Sequence, residues 1–451
     1  MRSARSVAVR LISAVAVAVG VVATPAGANP VPAPVCSWPF AQSGETPNVL
    51  APHPETGYWF LRYSAIPGSR LVIRGSYAQS RYFSFVAHDE SLTALQGIND
   101  TRIEPDPGSH NPFLARGNGP TNYTVQVDFD PPPAHHAANT LYPGHTLEGY
   151  PNPGGYLVYR VFLPHDRQDP TGSVPLPEVT LKLPGGSTEL SFSRCPPVPP
   201  TGAQRPINDS VEQASRPSPL AGFPPPTNRV RYPPKFEVIY NGQVLDAALS
   251  QILPEQVYDP LPHRPGTTYG NTDVKYVILL THREHGEVIV FRAKAPSYLD
   301  MRAGELATAR KQVRLWNACT AGSPQEGGFF GLDCIDDEEA TLTPVSPRRA
   351  VTPHAWDTRG EATFVVSDPE HKPARNMAEA NWLPSGPFAE TMIFYRFMLP
   401  HPRFAEHPGN VPEGTDPAEV MGEYFPEAAY CSTETFDQGG ADACFAEQEA
   451  R

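Results

Sequence analysis

The runs GYLVYRVFLPHDR, ending at Arg167, and MIFYRFMLPHPR, ending at Arg403, each set an arginine in an apolar stretch and close on Leu-Pro-His-x-Arg. Guanidinium groups at such positions recognise anions, and imidazoles move protons near neutral pH. Strand alternation puts Arg160 on one face with Val158 and Phe162, and Arg396 with Phe394 and Met398. The opposite faces, with Tyr159 and Leu163 or Tyr395 and Leu399, are equally apolar. Arg160 and Arg396 are therefore expected to be buried structural arginines that need carboxylate or carbonyl partners. His165, Arg167, His401 and Arg403 fall after the proline, in loops, where β-folds carry their contacts to ligands. With Trp382 they form the candidate ligand-contact set, although a histidine at a strand end also serves to satisfy nearby backbone groups.

Other chemistry is thinner. VAHDES, with His88, Asp89 and Glu90, and CIDDEE, with Asp336 to Glu339, offer carboxylates for acid–base work on a glycan. The acidic run reads as a solvated loop. The sequence has no G-x-S-x-G nucleophile signature, no His-Glu-x-x-His and no His-x-His. The adjacent pair His135-His136 is poorly spaced for a single ion, and PDPGSHNPF reads as a turn cluster built by Pro, Gly, Asp106 and Ser109. No catalytic residue, metal site or cofactor is assigned. The aromatic residues Tyr58, Trp59, Phe60, Tyr82, Phe83, Trp316, Trp356 and Trp382 are read mainly as core, with an exposed ligand platform as the other possibility.

The elements that must hold these residues are strands. The 451 residues include 55 prolines, which penalise helix interiors and central strands alike, so short strands joined by stiff loops are expected. RLVIRG, RYFSFVAH, YTVQVDF and YLVYRVFL are short β-branched and aromatic runs bounded by turn residues. Asn241-Gly242 suits a tight hairpin, and Asp416-Pro417 suits a helix start. Tyr58 precedes Arg74 by 16 residues, and Tyr276 precedes Arg292 by the same spacing. YTVQVDFDP and ATFVVSDPE then precede the two closing runs in the same order, the pattern of an internal duplication. The expected fold is all-β: two tandem antiparallel β-sandwiches, jelly-roll-like and related by duplication, with few short helices. The expected boundaries are a leader over 1–28, a first sandwich over 29–195, a Pro-rich linker over 196–234, a second sandwich over 235–404 and a C-terminal extension over 405–451.

Arg2, Arg5 and Arg10 precede the apolar run LISAVAVAVGVVA and the small residues Ala26-Gly27-Ala28, the layout of a secretory signal cut after Ala28. Six cysteines in an exported chain favour disulfides. Nearest-neighbour logic selects Cys36–Cys195, Cys319–Cys334 and Cys431–Cys444 from the 15 pairings that six cysteines allow. No C-x₂₋₄-C spacing supports zinc. Without the leader, 32 basic residues face 48 acidic ones, a net charge of −16 that opposes nucleic acid and anionic lipid as partners. No segment of the mature chain is long and apolar enough for a membrane helix. The localisation expected is secreted or extracellular.

The segment NWLPSGPFAETMIFYRFMLP, with its Asn-Trp-Leu-Pro turn and closing Arg-x-x-x-Pro strand, resembles the end of bacterial domain of unknown function 1214. RYFSFVAHD and YLVYRVFLPHDRQDPTGSVPLPEVTL resemble it more loosely. PDPGSHNPF and VRLWNAC are similar to phrases of secreted, uncharacterised actinobacterial proteins that carry two such repeats. The resemblance covers about two thirds of the chain; it implies a β-sandwich and no activity. The functional expectation is a disulfide-stabilised, non-catalytic binding or cell-envelope-associated accessory protein of unknown ligand. The alternative is an extracellular hydrolase acting on glycan or lipid envelope components.

Overall fold

A computed structural model describes residues 36–42, 53–90, 93–147, 149–185, 188–192, 230–238, 240–241, 264–265, 270–301, 303–322, 331–343 and 360–450. The leader, most of the Pro-rich linker, Gly242, Trp356 and Cys195 lie outside the described residues.

The β-branched and aromatic runs of the first half form β1 (Phe40–Gln42), β2 (Thr56–Ser64), β3 (Arg70–Ser76), β4 (Ser80–Asp89), β5 (Ala94–Asn99), β6 (Asn122–Asp128), β7 (Thr140–Leu141), β8 (Gly154–Pro164), β9 (Glu178–Lys182) and β10 (Glu189–Ser191). They build two five-stranded sheets in the orders β1-β2-β8-β4-β5 and β10-β9-β3-β6-β7. The second half supplies β11 (Glu237–Val238), β12 (Tyr240–Asn241), β13 (Arg264–Pro265), β14 (Val274–His282), β15 (Val288–Lys294), β16 (Leu315–Gly322), β17 (Gly331–Asp336), β18 (Leu342–Thr343), β19 (Glu361–Ser367), β20 (Asn381–Pro384), β21 (Glu390–Met398) and β22 (Glu427–Cys431). Its sheets run β11-β14-β21-β16-β17 and β18-β19-β15-β22, with β20 added to β19. The fold is all-β. Pairing is antiparallel except where β7 joins β6 and β20 joins β19, two short parallel additions. Asn241 pairs with Arg264 across a separate two-stranded ribbon.

Alternation divides each central strand between two destinations. On β8, Leu157, Tyr159 and Val161 point into the first sandwich, where Tyr159 stacks on Phe85 at 4.8 Å and meets Trp38 at 5.8 Å. On β21, Ile393, Tyr395 and Phe397 do the same in the second, beside Trp316 and the Phe291–Phe364 stack at 4.7 Å. Trp316 is buried whole because its indole N–H reaches Pro296 O at 3.1 Å. The intervening residues of β8 and β21 form the outer faces of their sandwiches.

Helices are α1 (Pro417–Met421), capped by Asp416 through Ala418 N, and α2 (Thr433–Ala450), kinked at Gly440 where φ is +66°. Cys319–Cys334 joins the neighbouring strands β16 and β17, and Cys431–Cys444 ties the end of β22 to α2. Cys36 is also disulfide-bonded.

One boundary differs from the sequence reading. Residues 405–451 were expected as an extension, yet β22 completes a sheet of the second sandwich by pairing with β15, Cys431 opposite Val288 and Glu427 opposite Arg292. Phe404, Val411, Met421, Tyr424 and Tyr430 belong to that sandwich's core. The strand EAAYC is alanine-rich and weak in β-propensity, so its partner on β15 decides its conformation. Tyr430→Ala should therefore lower global stability by about 3–5 kcal/mol in denaturant unfolding. An unmoved main transition would restore the appended-tail reading.

Candidate functional site

The outer faces of the two sandwiches meet, and the meeting is built from two arginines at the starts of β4 and β16. Arg81, at the start of β4, bonds the Asp337 carboxylate and donates to Leu299 O at 3.0 Å and Arg314 O at 3.2 Å. Arg314, just before β16, donates to Arg81 O at 3.0 Å and to Asp100 Oδ1 at 3.1 Å. Each aspartate also accepts a backbone N–H from its own half: Asp100 from Phe83 at 2.9 Å, Asp337 from Trp316 at 2.9 Å. All four side chains are essentially buried. Burial pushes the Asp337 carboxyl up to about 7, while its proximity raises the Arg81 guanidinium. Donors aimed at the carboxylate from Arg81 and Trp316 favour the ionised pair.

The Leu-Pro-His tails have a backbone reason. Leu163 and Leu399 take left-handed φ values of +50° and +46°. Leu163 N donates to Glu55 O at 3.2 Å and Leu399 N to Asp273 O at 2.8 Å. The next residues turn the chain so that His165 N meets Gln79 O at 2.9 Å and His401 N meets Gln312 O at 2.8 Å. The His401 ring accepts Arg403 N at 3.1 Å. His165 and Arg403 are exposed and His401 is half-buried. The His401 imidazole thus acts on backbone, and both histidines sit at the ends of the central strands.

Arg167 does more. It pairs with Glu55 of the first half and with Asp336 at 3.1 Å and Glu338 at 3.9 Å of the second. Glu55, Asp336 and Glu339 place carboxylate oxygens within 4.8 Å of one another, a spacing that suits a cation. The Arg167 guanidinium already supplies positive charge to two of the three, and Asp336 Oδ1 caps its own turn through Glu338 N at 2.9 Å. The acidic run expected as a solvated loop is thus half inside: Asp336 and Asp337 are buried because arginines from the first half reach them.

Between these contacts lie Arg160 and Arg396. They are buried on the outer faces of β8 and β21, with 5% and 7% exposure. Each stands opposite a tyrosine on the neighbouring strand, Tyr58 and Tyr276. The guanidinium carbons lie 5.8 Å and 5.6 Å from those rings, and Arg396 is 5.1 Å from Phe394. The two arginines share one neighbourhood. Arg160 and Arg396 both act electrostatically on Tyr58, and Tyr276 and Asp273 of the second half act on Arg160. Burial lowers the Arg160 pKa, and the surrounding tyrosines and Asp273 offset it. Tyr58 and Tyr276 are half-buried beside the arginines.

Two histidines flank this region. His53 is buried; its Nδ1 accepts Glu55 N at 3.1 Å, and burial with Arg396 and Arg167 nearby holds its pKa well below the ordinary value. His88 lies with Nε2 3.1 Å from Gly270 O of the second half, and burial brings its pKa down to about 3. Tyr82 adds a hydroxyl bonded to Asp273 at 2.8 Å and Asn271, and Asn99 donates to Asp273 at 2.8 Å.

Trp382 lies elsewhere, on β20. Its indole N–H donates to Ser367 Oγ at 3.0 Å, and Lys372 Nζ sits 4.1 Å from the ring centroid. Beside it His371 Nδ1 contacts Asp368 at 2.9 Å. That carboxylate also accepts Glu370 N and His371 N, each at 2.9 Å, and pairs with Arg283 at 3.3 Å. The bond to Asp368 raises the His371 pKa. Of the candidate set, Arg167 lies at the seam beside the structural arginines Arg160 and Arg396. His165, His401 and Arg403 lie just past the central strands, and Trp382 lies on the outer sheet of the second sandwich. Arg81, Arg314, Asp100 and His53 escaped sequence reasoning. A signal was present, since Gln79-Ser80-Arg81 and Gln312-Val313-Arg314 precede corresponding strands.

No protein-family model matches the chain, and no curated protein matches it. Among solved structures, it is similar to an uncharacterised protein from Burkholderia cenocepacia at a TM-score of 0.45 and 13% identity, covering 94% of this chain and 87% of that one. It is also similar to the VPA0106 protein from Vibrio parahaemolyticus at a TM-score of 0.37 and 11% identity, covering 87% of this chain and 91% of that one.

Two outcomes follow from the seam. Arg81→Met strands the Asp337 carboxylate and should cost about 3–5 kcal/mol in urea unfolding. Adding Asp337→Asn, which keeps an acceptor for Trp316 N, should recover about 2 kcal/mol or more; simple additivity would show that the pair is uncoupled. For His88, the folded pKa lies below the unfolded one of about 6.5. Above that pH both states are neutral; as pH falls from there toward 3 only the unfolded chain takes the proton, so stability drops. Between pH 7.5 and 4.5 the wild type should lose roughly 3 kcal/mol more than His88→Gln, and equal losses would remove His88 from the acid response.

Proposed function

We propose that this chain is an exported, disulfide-stapled binding protein associated with the cell envelope, and that it takes an anionic group at the seam between its sandwiches without catalysing a reaction. The observation that carries this reading is the Arg160–Arg396 pair. Two guanidiniums on the central strands of facing sheets act on the same tyrosine, in a chain whose sequence is strongly acidic. Guanidinium groups recognise carboxylate and phosphate, so a neighbourhood that holds both arginines suits an anionic ligand. Tyr58 and Tyr276, half-buried beside the pair, suit a ligand with a sugar or other flat apolar part next to its charge. The proposal includes descent of the halves from one ancestor. The corresponding orders β1-β2-β8-β4-β5 and β11-β14-β21-β16-β17, with a Tyr–Arg pair at matching places, support it.

The hydrolase reading has one observation in its favour, the His371–Asp368 contact. Asp368 raises the imidazole pKa toward the protonated form and spends its own oxygens on two backbone N–H groups and Arg283, which describes a turn staple better than a general base.

Incubating the purified protein with fractionated envelope, and reading both retention and released product, tests the two readings together. Retention should weaken about tenfold or more in Arg160→Met and in Arg396→Met while their thermal unfolding stays cooperative, and it should fall with added salt. Turnover of any fraction would sink the non-catalytic reading. Retention unchanged in both variants would remove the seam from it.

A further inference from the structure

The two described disulfides occupy opposite environments. Cys431 and Cys444 are fully buried in an apolar cluster with Val288, Val290 and Phe436. Cys319–Cys334 is asymmetric: Cys319 is buried at 2% exposure, while Cys334 is half-buried. Arg396 Nη1 lies 3.1 Å from Cys319 Sγ and 3.9 Å from Cys334 Sγ. A ring nitrogen of His53 and both sulfurs fall within 4.8 Å of one another. Since His53 Nδ1 accepts Glu55 N, its proton sits on Nε2, a buried atom with no hydrogen-bond partner among the described residues. A guanidinium thus contacts the Cys319 sulfur, and the His53 ring lies beside the same bridge. A neutral disulfide sulfur is a poor acceptor for either; a thiolate is a strong one.

From this geometry we propose that Cys319–Cys334 is a thiol–disulfide exchange site for a dithiol, with Cys334 the attacked sulfur and Cys319 the leaving thiolate. The thiolate of the dithiol attacks Sγ of the half-buried Cys334. The Cys319–Cys334 bond breaks, its electron pair leaves on Cys319 beside Arg396 Nη1, and a mixed disulfide forms at Cys334. The second thiol of the dithiol loses its proton to water and attacks its own sulfur in that mixed disulfide. The products are the oxidised dithiol and a Cys334 thiolate that is protonated from solvent. Two electrons pass from dithiol to protein. A leaving thiol held as thiolate speeds the first step. The sheet survives because Asn317–Asp336, Ala318–Ile335 and Thr320–Asp333 keep β16 and β17 in register.

The test uses the full chain, dithiothreitol as the dithiol, and differential alkylation read by mass spectrometry, with circular dichroism to follow the fold. Cys319–Cys334 should open at least tenfold faster than Cys431–Cys444 while the spectrum stays native. In the reduced protein, thiolate absorbance should place the Cys319 midpoint below the ordinary thiol value of about 8.5. Arg396→Met should slow opening and raise that midpoint by about one pH unit or more, and Arg396→Lys should restore part of both. The two bridges opening together, opening only on unfolding, or a wild-type midpoint at or above about 8.5 would each overturn the proposal. The wild-type measurements decide it even where Arg396→Met fails to fold. They are separate from retention of envelope material by the oxidised protein, so either result can fail alone.

Discussion

The exchange of guanidiniums between Arg81 and Arg314 is the constraint on which the rest of the molecule depends. Each arginine donates to the backbone carbonyl of the other and takes its counter-ion from the opposite sandwich. Each counter-ion, in turn, is held by a strand of its own sandwich through Phe83 N or Trp316 N. Buried charges are expensive unless every donor and acceptor is met. Here meeting them requires both sandwiches at once, so the relative placement of the halves is part of the electrostatic solution. Tyr82, Phe162, Leu163, Val274, Leu315 and Met398 pack beside the exchange as an apolar cluster that crosses the seam.

That placement gives the central strands their chemistry. Arg160 and Arg396 would be exposed surface arginines on isolated sandwiches, because they point away from both cores. Facing sheets make them buried beside the tyrosines of their own neighbouring strands. Arg396 also meets the Cys319–Cys334 bridge of its own sheet and has His53 of the first half nearby. The Leu-Pro-His tails serve the same construction. A left-handed leucine ends each central strand, and the following backbone N–H returns to the residue just before Ser80 or Val313. The histidines are thereby fixed at the edges of the arginine exchange.

Much of this was legible in residue types. Period-two alternation located the strands, and the apolar residues on both faces of YLVYRVFL and IFYRFML announced that Arg160 and Arg396 are buried. What alternation could not say was whether burial lay inside a sandwich or between two. The ion pairs were illegible for a simple reason: Arg81 and Asp337 are 256 positions apart, and no local pattern links them. The run CIDDEE looked solvated because four successive acids normally are; arginines from the first half reverse that for Asp336 and Asp337. β22 was missed because EAAYC lacks β-branched residues, and its strand character comes from β15.

The position of β22 also bears on how the chain assembles as it emerges amino-end first. The ten described strands of the first sandwich lie before residue 192, so their partners are available early. The second cannot close its sheet until residues 427–431 are available to β15. The sheet that faces the seam, β11-β14-β21-β16-β17, has its described strands in place once Met398 is made, whereas the opposite sheet still waits for β22. In chain order, therefore, the described strands that face the seam all precede the strand that closes the far sheet of the second sandwich.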